Sequence, residues 1–216
     1  MPMKDNEKRD RMDTISGGQG FAQACYSKCG IIMSVKAVDQ LKSLLLQALE
    51  YHKTQQPTPE LQHVATMKSD YEVEVNYSDL MANASHSGRM AEQVKQFNQV
   101  SIRMPTLNAK THKMELVEFP RLALAEDHPE DHMVTFRFAR PVMFYLLRCE
   151  YGVHSVYTPA LMAMKSLHTM RMYLYLSCWV SAGRCTITYL QLMRILCPGV
   201  HAEELKYMRM GAIDQA

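Results

Sequence analysis

Three groups of residues have the types and spacing to do chemistry. His128, Glu130, Asp131 and His132, in "HPEDH", combine imidazole and carboxylate donors of the kind that hold a divalent metal in a nuclease. Pro129 forbids a regular helix there, so the stretch reads instead as a polar turn between strands. Cys25 and Cys29 bracket "YSK" and could bind zinc only with two more ligands from elsewhere in the chain. The third group is basic. Ser87, Arg89 and Lys95 offer the hydroxyl and cations that meet phosphates, and Gln93 an amide that can read a base edge. A solvated helix face has the same composition. Arg103, Lys110 and Lys113 follow beside a strand-rich stretch, and Thr188, Tyr189 and Arg194 lie near the carboxy end. No Gly-rich phosphate loop, HExxH or GxSxG occurs, so neither an enzyme nor a cofactor is expected.

The elements that would position the basic residues can be read from periodicity. Val35, Val38, Leu41, Leu45, Ala48 and Leu49 recur at helical spacing, and Ser34 can cap that helix. "TQQPTPELQHV" reads as a loop, and "YEVEVNY" alternates as a half-buried strand. Ser78 can cap a short helix ending near Ala84, and Ser85 or Ser87 a second running to about Asn98. In the second, Met90, Val94 and Phe97 would pack inward, as in a helix-turn-helix. "QVSIRMP", "KMELVEFPRLAL" and "HMVTFRFA" are three strand-like runs, and "RPVMFYLLRC" a short helix from Pro141. Thr158 can cap a helix that bends near Ser166 and stops at Gly183. A short strand at Cys185 to Ile187 and a Thr188-capped helix to Leu196 complete the order.

Composition places the chain among ordinary globular domains. It has 216 residues, 47% of them hydrophobic and 21% charged, with a net charge of +2. That total is too mild to announce a polyanion partner, but the distribution is uneven. Tyr151 to Ala202 holds no Asp or Glu and keeps Lys165, Arg171, Arg184 and Arg194; Glu115 to Asp131 is the acidic pole. Met172 to Gly183 carries no charge, yet a spanning helix needs about 20 apolar residues, so no membrane partner is expected. The stretch reads as the buried spine of a domain whose basic residues lie where it surfaces. Six cysteines form no CxxC pair and no secretory leader precedes them, which points to reduced thiols in a cytoplasmic protein.

The ordered set Lys165, Ser166, Arg171, Met172, Tyr173, Leu176, Gly183, Thr186, Ile187, Thr188, Gln191, Leu192 and Leu196 resembles the amino-terminal winged-helix domain of iteron-binding plasmid replication initiators. "LKSLLLQAL", "VEVNYSDLMANA" and "HMVTFRFARPVMFYLL" resemble earlier pieces of the same domain. The resemblance spans roughly Val35 to Leu196. It implies an α+β winged helix that binds double-stranded DNA, either plasmid origin repeats or an operator, as a homodimer in equilibrium with monomer and alongside host replication factors. The implied organisation is a flexible polar tail over 1–30, a winged-helix domain over 31–200 and a short tail over 201–216. The family normally carries a second winged helix, for which "PGVHAEELKYMRMGAIDQA" is too short, so backbone contact and dimerisation are the expected roles. Arg171 and Tyr173 hold the family's "R-x-Y" position. A structural role for Arg171, Tyr173 and the neighbouring Trp179 is expected, with DNA contact as the alternative for Arg171.

Overall fold

Eight buried residues of the first long helix set where everything else must go. The computed structural model describes residues 12–16, 27–80, 89–107, 111, 114–148 and 153–197. Helix α1 (Lys28–Asp39) buries Gly30 to Val35, Ala37 and Val38, which is nearly its whole circumference. Helix α2 (Lys42–Thr54) follows after a break at Gln40 and Leu41, where the sequence pattern predicted continuity. Ser34 is not a cap. It lies inside α1, where its hydroxyl donates to the Gly30 carbonyl at 2.8 Å and is thereby satisfied in the core; the cap is Ser27, which accepts from Gly30 N–H. The stretch expected as a loop contains α3 (Pro59–Thr66), started by the Thr58 side chain and a proline in the first turn.

The mixed helix and sheet arrangement is α+β. Strand β1 (Met12–Ser16) pairs antiparallel with β7 (Val153–Tyr157). This corrects the reading of 1–30 as a tail: five residues with little alternation gain a distant partner that supplies their backbone hydrogen bonds. Strand β2 (Tyr71–Asn76) runs into the short helix α4 (Tyr77–Leu80), and after residues 81–88, which lie outside the described set, comes α5 (Met90–Asn98). Strands β3 (Ile102–Leu107) and β4 (Met114–Phe119) form a separate two-stranded hairpin. Strands β5 (Leu124–His128) and β6 (Met133–Phe138) join β2 in a three-stranded antiparallel sheet of order β2–β6–β5. The three expected strand runs are therefore four strands, because Pro120 and Arg121 interrupt the second run. "HPEDH" is the tight connection between β5 and β6, as expected, with His132 in the left-handed region at φ 52°.

The carboxy half is helical. Helices α6 (Arg140–Arg148) and α7 (Thr158–Ala163) precede α8 (Leu167–Ser177), a 3-10 turn at Val180–Ala182, and α9 (Tyr189–Leu196). The predicted bend near Ser166 is a full break, and the helical segment does stop at Gly183, whose φ is 66°. Thr158 is the first residue of α7 and its side chain caps nothing. Residues 184–188 are irregular, not a strand, but Thr188 and Gln191 do form a reciprocal capping box on α9.

Arg171 departs from the expectation that the basic residues lie where the spine surfaces. It is only 6% exposed, and Nη1 donates to the Leu196 carbonyl at 2.9 Å, so a guanidinium sits on the last carbonyl of α9. Those terminal carbonyls have no intrahelical partner and carry the negative end of the helix dipole, which makes the site favourable for a cation. Tyr173 is structural in the same way, its hydroxyl accepting from Tyr157 N–H at 3.0 Å and tying α8 to β7. Trp179 packs against the core with its ring tilted beside Tyr175. Arg171→Ala should cost about 2–4 kcal/mol in urea unfolding, from the lost charged hydrogen bond and the space left behind. Arg171→Lys should recover only part of it, because one ammonium on a different stem does not reproduce the planar fork.

Candidate nucleic-acid interface

Helix α5 has a clear two-sided pattern. Met90, Val94 and Phe97 are buried, Phe97 edge-to-face against Phe136 of β6 at 5.5 Å between ring centroids. Arg89, Ala91, Glu92, Lys95 and Gln96 are exposed. The helix is fixed at its last residue and at its middle. Asn98 donates to the Ala125 carbonyl and accepts from the Ala125 N–H, both at 2.8 Å, so its amide serves β5 as a neighbouring strand would. At the other side Gln93 accepts from Cys29 Sγ at 2.9 Å, joining α5 to α1.

That bond changes the role expected of Gln93. Half-buried and held by Cys29, it positions α5 and is not presented as a base-edge reader. Of the other expected contacts, Arg89 and Lys95 share the exposed side of α5, with Glu92 between them in sequence and bonded to Gln96 at 3.2 Å. Arg103 lies on β3 opposite Glu118 of β4. Ser87, Lys110 and Lys113 lie outside the described residues. Thr188 spends its hydroxyl on the α9 cap, and Arg194 is exposed on the same helix.

The β5–β6 hairpin has the opposite charge. Glu130 and Asp131 are exposed at its turn, and Asp127 accepts from the Tyr77 hydroxyl; burial, with this bond, pushes the Tyr77 phenol upward. Arg137 of β6 bridges Glu72 of β2 at 2.9 Å and Glu126 of β5 at 3.0 Å. These partly exposed pairs fix strand register more than they add stability. Among the described residues no three His, Cys, Asp or Glu side chains converge as metal ligands, so His128, Glu130, Asp131 and His132 do not assemble the set a metal nuclease needs. Among the described residues, too, no helix is long and apolar enough to cross a membrane.

One constellation escaped sequence reasoning. Cys178 Sγ lies 3.3 Å from His154 Nε2, at the wall of a cavity of about 500 Å³ between β7 and the end of α8. The two residues are far apart in sequence and share no motif, so only the pairing of β7 beside α8 reveals them. The geometry resembles a nucleophile and base, but the electrostatics oppose it. Burial pushes the Cys178 thiol up to about 11 and lowers His154, so both groups are held neutral and the thiolate–imidazolium form is disfavoured.

Compared with known proteins, the chain matches no family model and no curated sequence.

Burial also pushes the Cys29 thiol up to about 11. Because these thiols ionise less readily folded than unfolded, their contribution to stability is fully present below the ordinary thiol value of 9.0 and is lost as pH rises to about 11. His154 acts on the other flank: neutral when folded, it lets the unfolded chain take up a proton first, so stability also falls as pH drops below 6.5. Chemical unfolding across pH should therefore show losses on both sides, and Cys178→Ala should flatten the alkaline one.

Proposed function

We propose that this chain is a winged-helix module of the plasmid replication-initiator type that binds duplex DNA mainly through the phosphate backbone. The observation that carries the reading is the exposed side of α5, where Arg89 and Lys95 stand on a helix whose other side is locked into the core by Met90, Val94 and Phe97. Its setting supports the reading: a strand, a helix pair and then the strands of a β2–β6–β5 antiparallel sheet is the order a winged helix follows. The β3–β4 hairpin, bearing Arg103, supplies the flanking backbone contact. The β5–β6 turn, with exposed Glu130 and Asp131, repels phosphate. With Gln93 held by Cys29, sequence reading by α5 is weak, which suits a module that positions on DNA rather than specifies a site.

Binding to a random-sequence duplex should fall steeply with salt. Arg89→Ala with Lys95→Ala should lower the slope of log affinity against log salt by about two, one for each lost phosphate contact. An unchanged slope in a folded double variant removes α5 from the mechanism.

A second reading, homodimerisation, has its own observation. Val180 is 76% exposed and Leu176 47%, side by side on the rim of the cavity between β7 and α8. Large apolar side chains so exposed are where a second copy gains most by covering them. Val180→Asp should shift the concentration-dependent mass seen by light scattering toward monomer, while leaving the salt-dependent DNA slope of the monomer unchanged.

A further inference from the structure

We infer that the cavity between the start of β2, the β4–β5 connection and the first turn of α6 is a binding site for a small zwitterion, an α-amino acid with an apolar side chain. The cavity holds about 320 Å³, and the buried side chains of Phe119, Leu122 and Val142 line it from the core side. Its rim is charged. Exposed Asp70, the residue before β2, and half-buried Arg121, in the β4–β5 connection, both line it. Among the described residues neither is engaged in an ion pair or a hydrogen bond, with the other or with any third group. Arg137 is the remaining charged group on the wall, and Glu72 and Glu126 already balance it.

Two opposite charges that share one cavity without meeting restrict what can fill it. A simple anion is drawn to Arg121 and repelled by Asp70, and a simple cation meets the reverse. A molecule carrying both signs satisfies both. Its α-carboxylate takes the planar guanidinium of Arg121 and its α-ammonium the carboxylate of Asp70, while its side chain lies on Phe119, Leu122 and Val142. The size agrees with one amino acid. A round space of this volume is about 8–9 Å across, which two charge-assisted hydrogen bonds of about 2.8 Å and a head group of about 3 Å together span. Pro120 beside Arg121 and Pro141 in the first turn of α6 stiffen the rim, and a wall already in place lowers the ordering cost of binding. None of the residues assigned to DNA contact lines this cavity, so its test does not depend on that reading.

The test is an NMR titration of the full chain with L-leucine, followed through backbone amide shifts. Three control probes each lack one feature: isocaproate has no ammonium, isoamylamine no carboxylate, and glycine no side chain. Leucine should bind with shifts centred on Leu122 to Leu124 and Val142, and each control should bind at least about tenfold more weakly. Asp70→Asn and Arg121→Gln should each weaken leucine binding at least about tenfold, and neither variant deletes a core side chain. Asp70→Asn should at the same time strengthen isocaproate binding, because the charge that repels it is gone; a merely structural role for Asp70 would weaken both ligands. No leucine-dependent shift up to roughly 50 mM, a control that binds as tightly as leucine, or leucine binding that survives both substitutions overturns the proposal.

Discussion

A helix buried on nearly all sides has to be covered on nearly all sides, and α1 imposes that condition on the rest of the chain. Its Ile31, Ile32, Met33, Val35, Ala37 and Val38 are each at most 7% exposed. Burying one such side chain is worth roughly 1.5–3 kcal/mol, so no register that uncovers a side of α1 can compete. The cover comes from β1, α4, α5 and β2, which all pack against it. Elements that the chain order separates widely are thus brought to one axis, and α5 acquires its position as part of that cover. The single polar group in the middle, the Ser34 hydroxyl, is compatible only because Gly30 offers its carbonyl one turn back.

Placing α5 against α1 leaves it two further constraints, and both are hydrogen bonds. Asn98 completes the outer edge of β5, and Gln93 meets Cys29. A helix anchored by its buried stripe, its last residue and its middle presents its remaining side without freedom to rotate, and that side holds Arg89, Glu92, Lys95 and Gln96. Pre-set geometry lowers the ordering cost of any contact made there. The same anchoring removes Gln93 from the pool of side chains that could read bases, so rigidity and specificity trade against each other in this helix.

What could be read from the sequence follows the range of the interactions. The 3.6-residue period of Met90, Val94 and Phe97, the alternation of β2, the polar turn at "HPEDH" and the Thr188 capping box are set by neighbours a few residues apart, and each is found in the structure. Several of the errors involve partners far along the chain, and others a helix start misjudged by a few residues. β1 is a strand because β7 is beside it, and nothing in "MDTIS" states that. Ser34 resembled a cap because a serine before an apolar period is one; the apolar residues on its other side, Ile31 to Met33, show that the helix had already begun. The expected DNA contacts were legible only as residue types. Whether Gln93 faces a groove or a thiol depends on where α1 lies, which is a tertiary fact.

The stretch from Arg171 to Leu196, apolar with only positive charges, can now be explained by position. A buried guanidinium needs an acceptor that does not itself require a buried countercharge, because pairing two ions in the core costs about as much desolvation as it returns. The carboxy end of a helix supplies such an acceptor: carbonyls without intrahelical partners and a partial negative charge. Arg171 takes the Leu196 carbonyl, which ties α8 to the end of α9. An Asp or Glu in the same place would face that negative end and be repelled. Arg184 and Arg194 are exposed and need no partner at all to be tolerated. At position 171, then, a cation suits the place where the two helices meet, whereas Arg184 and Arg194 are placed at the surface.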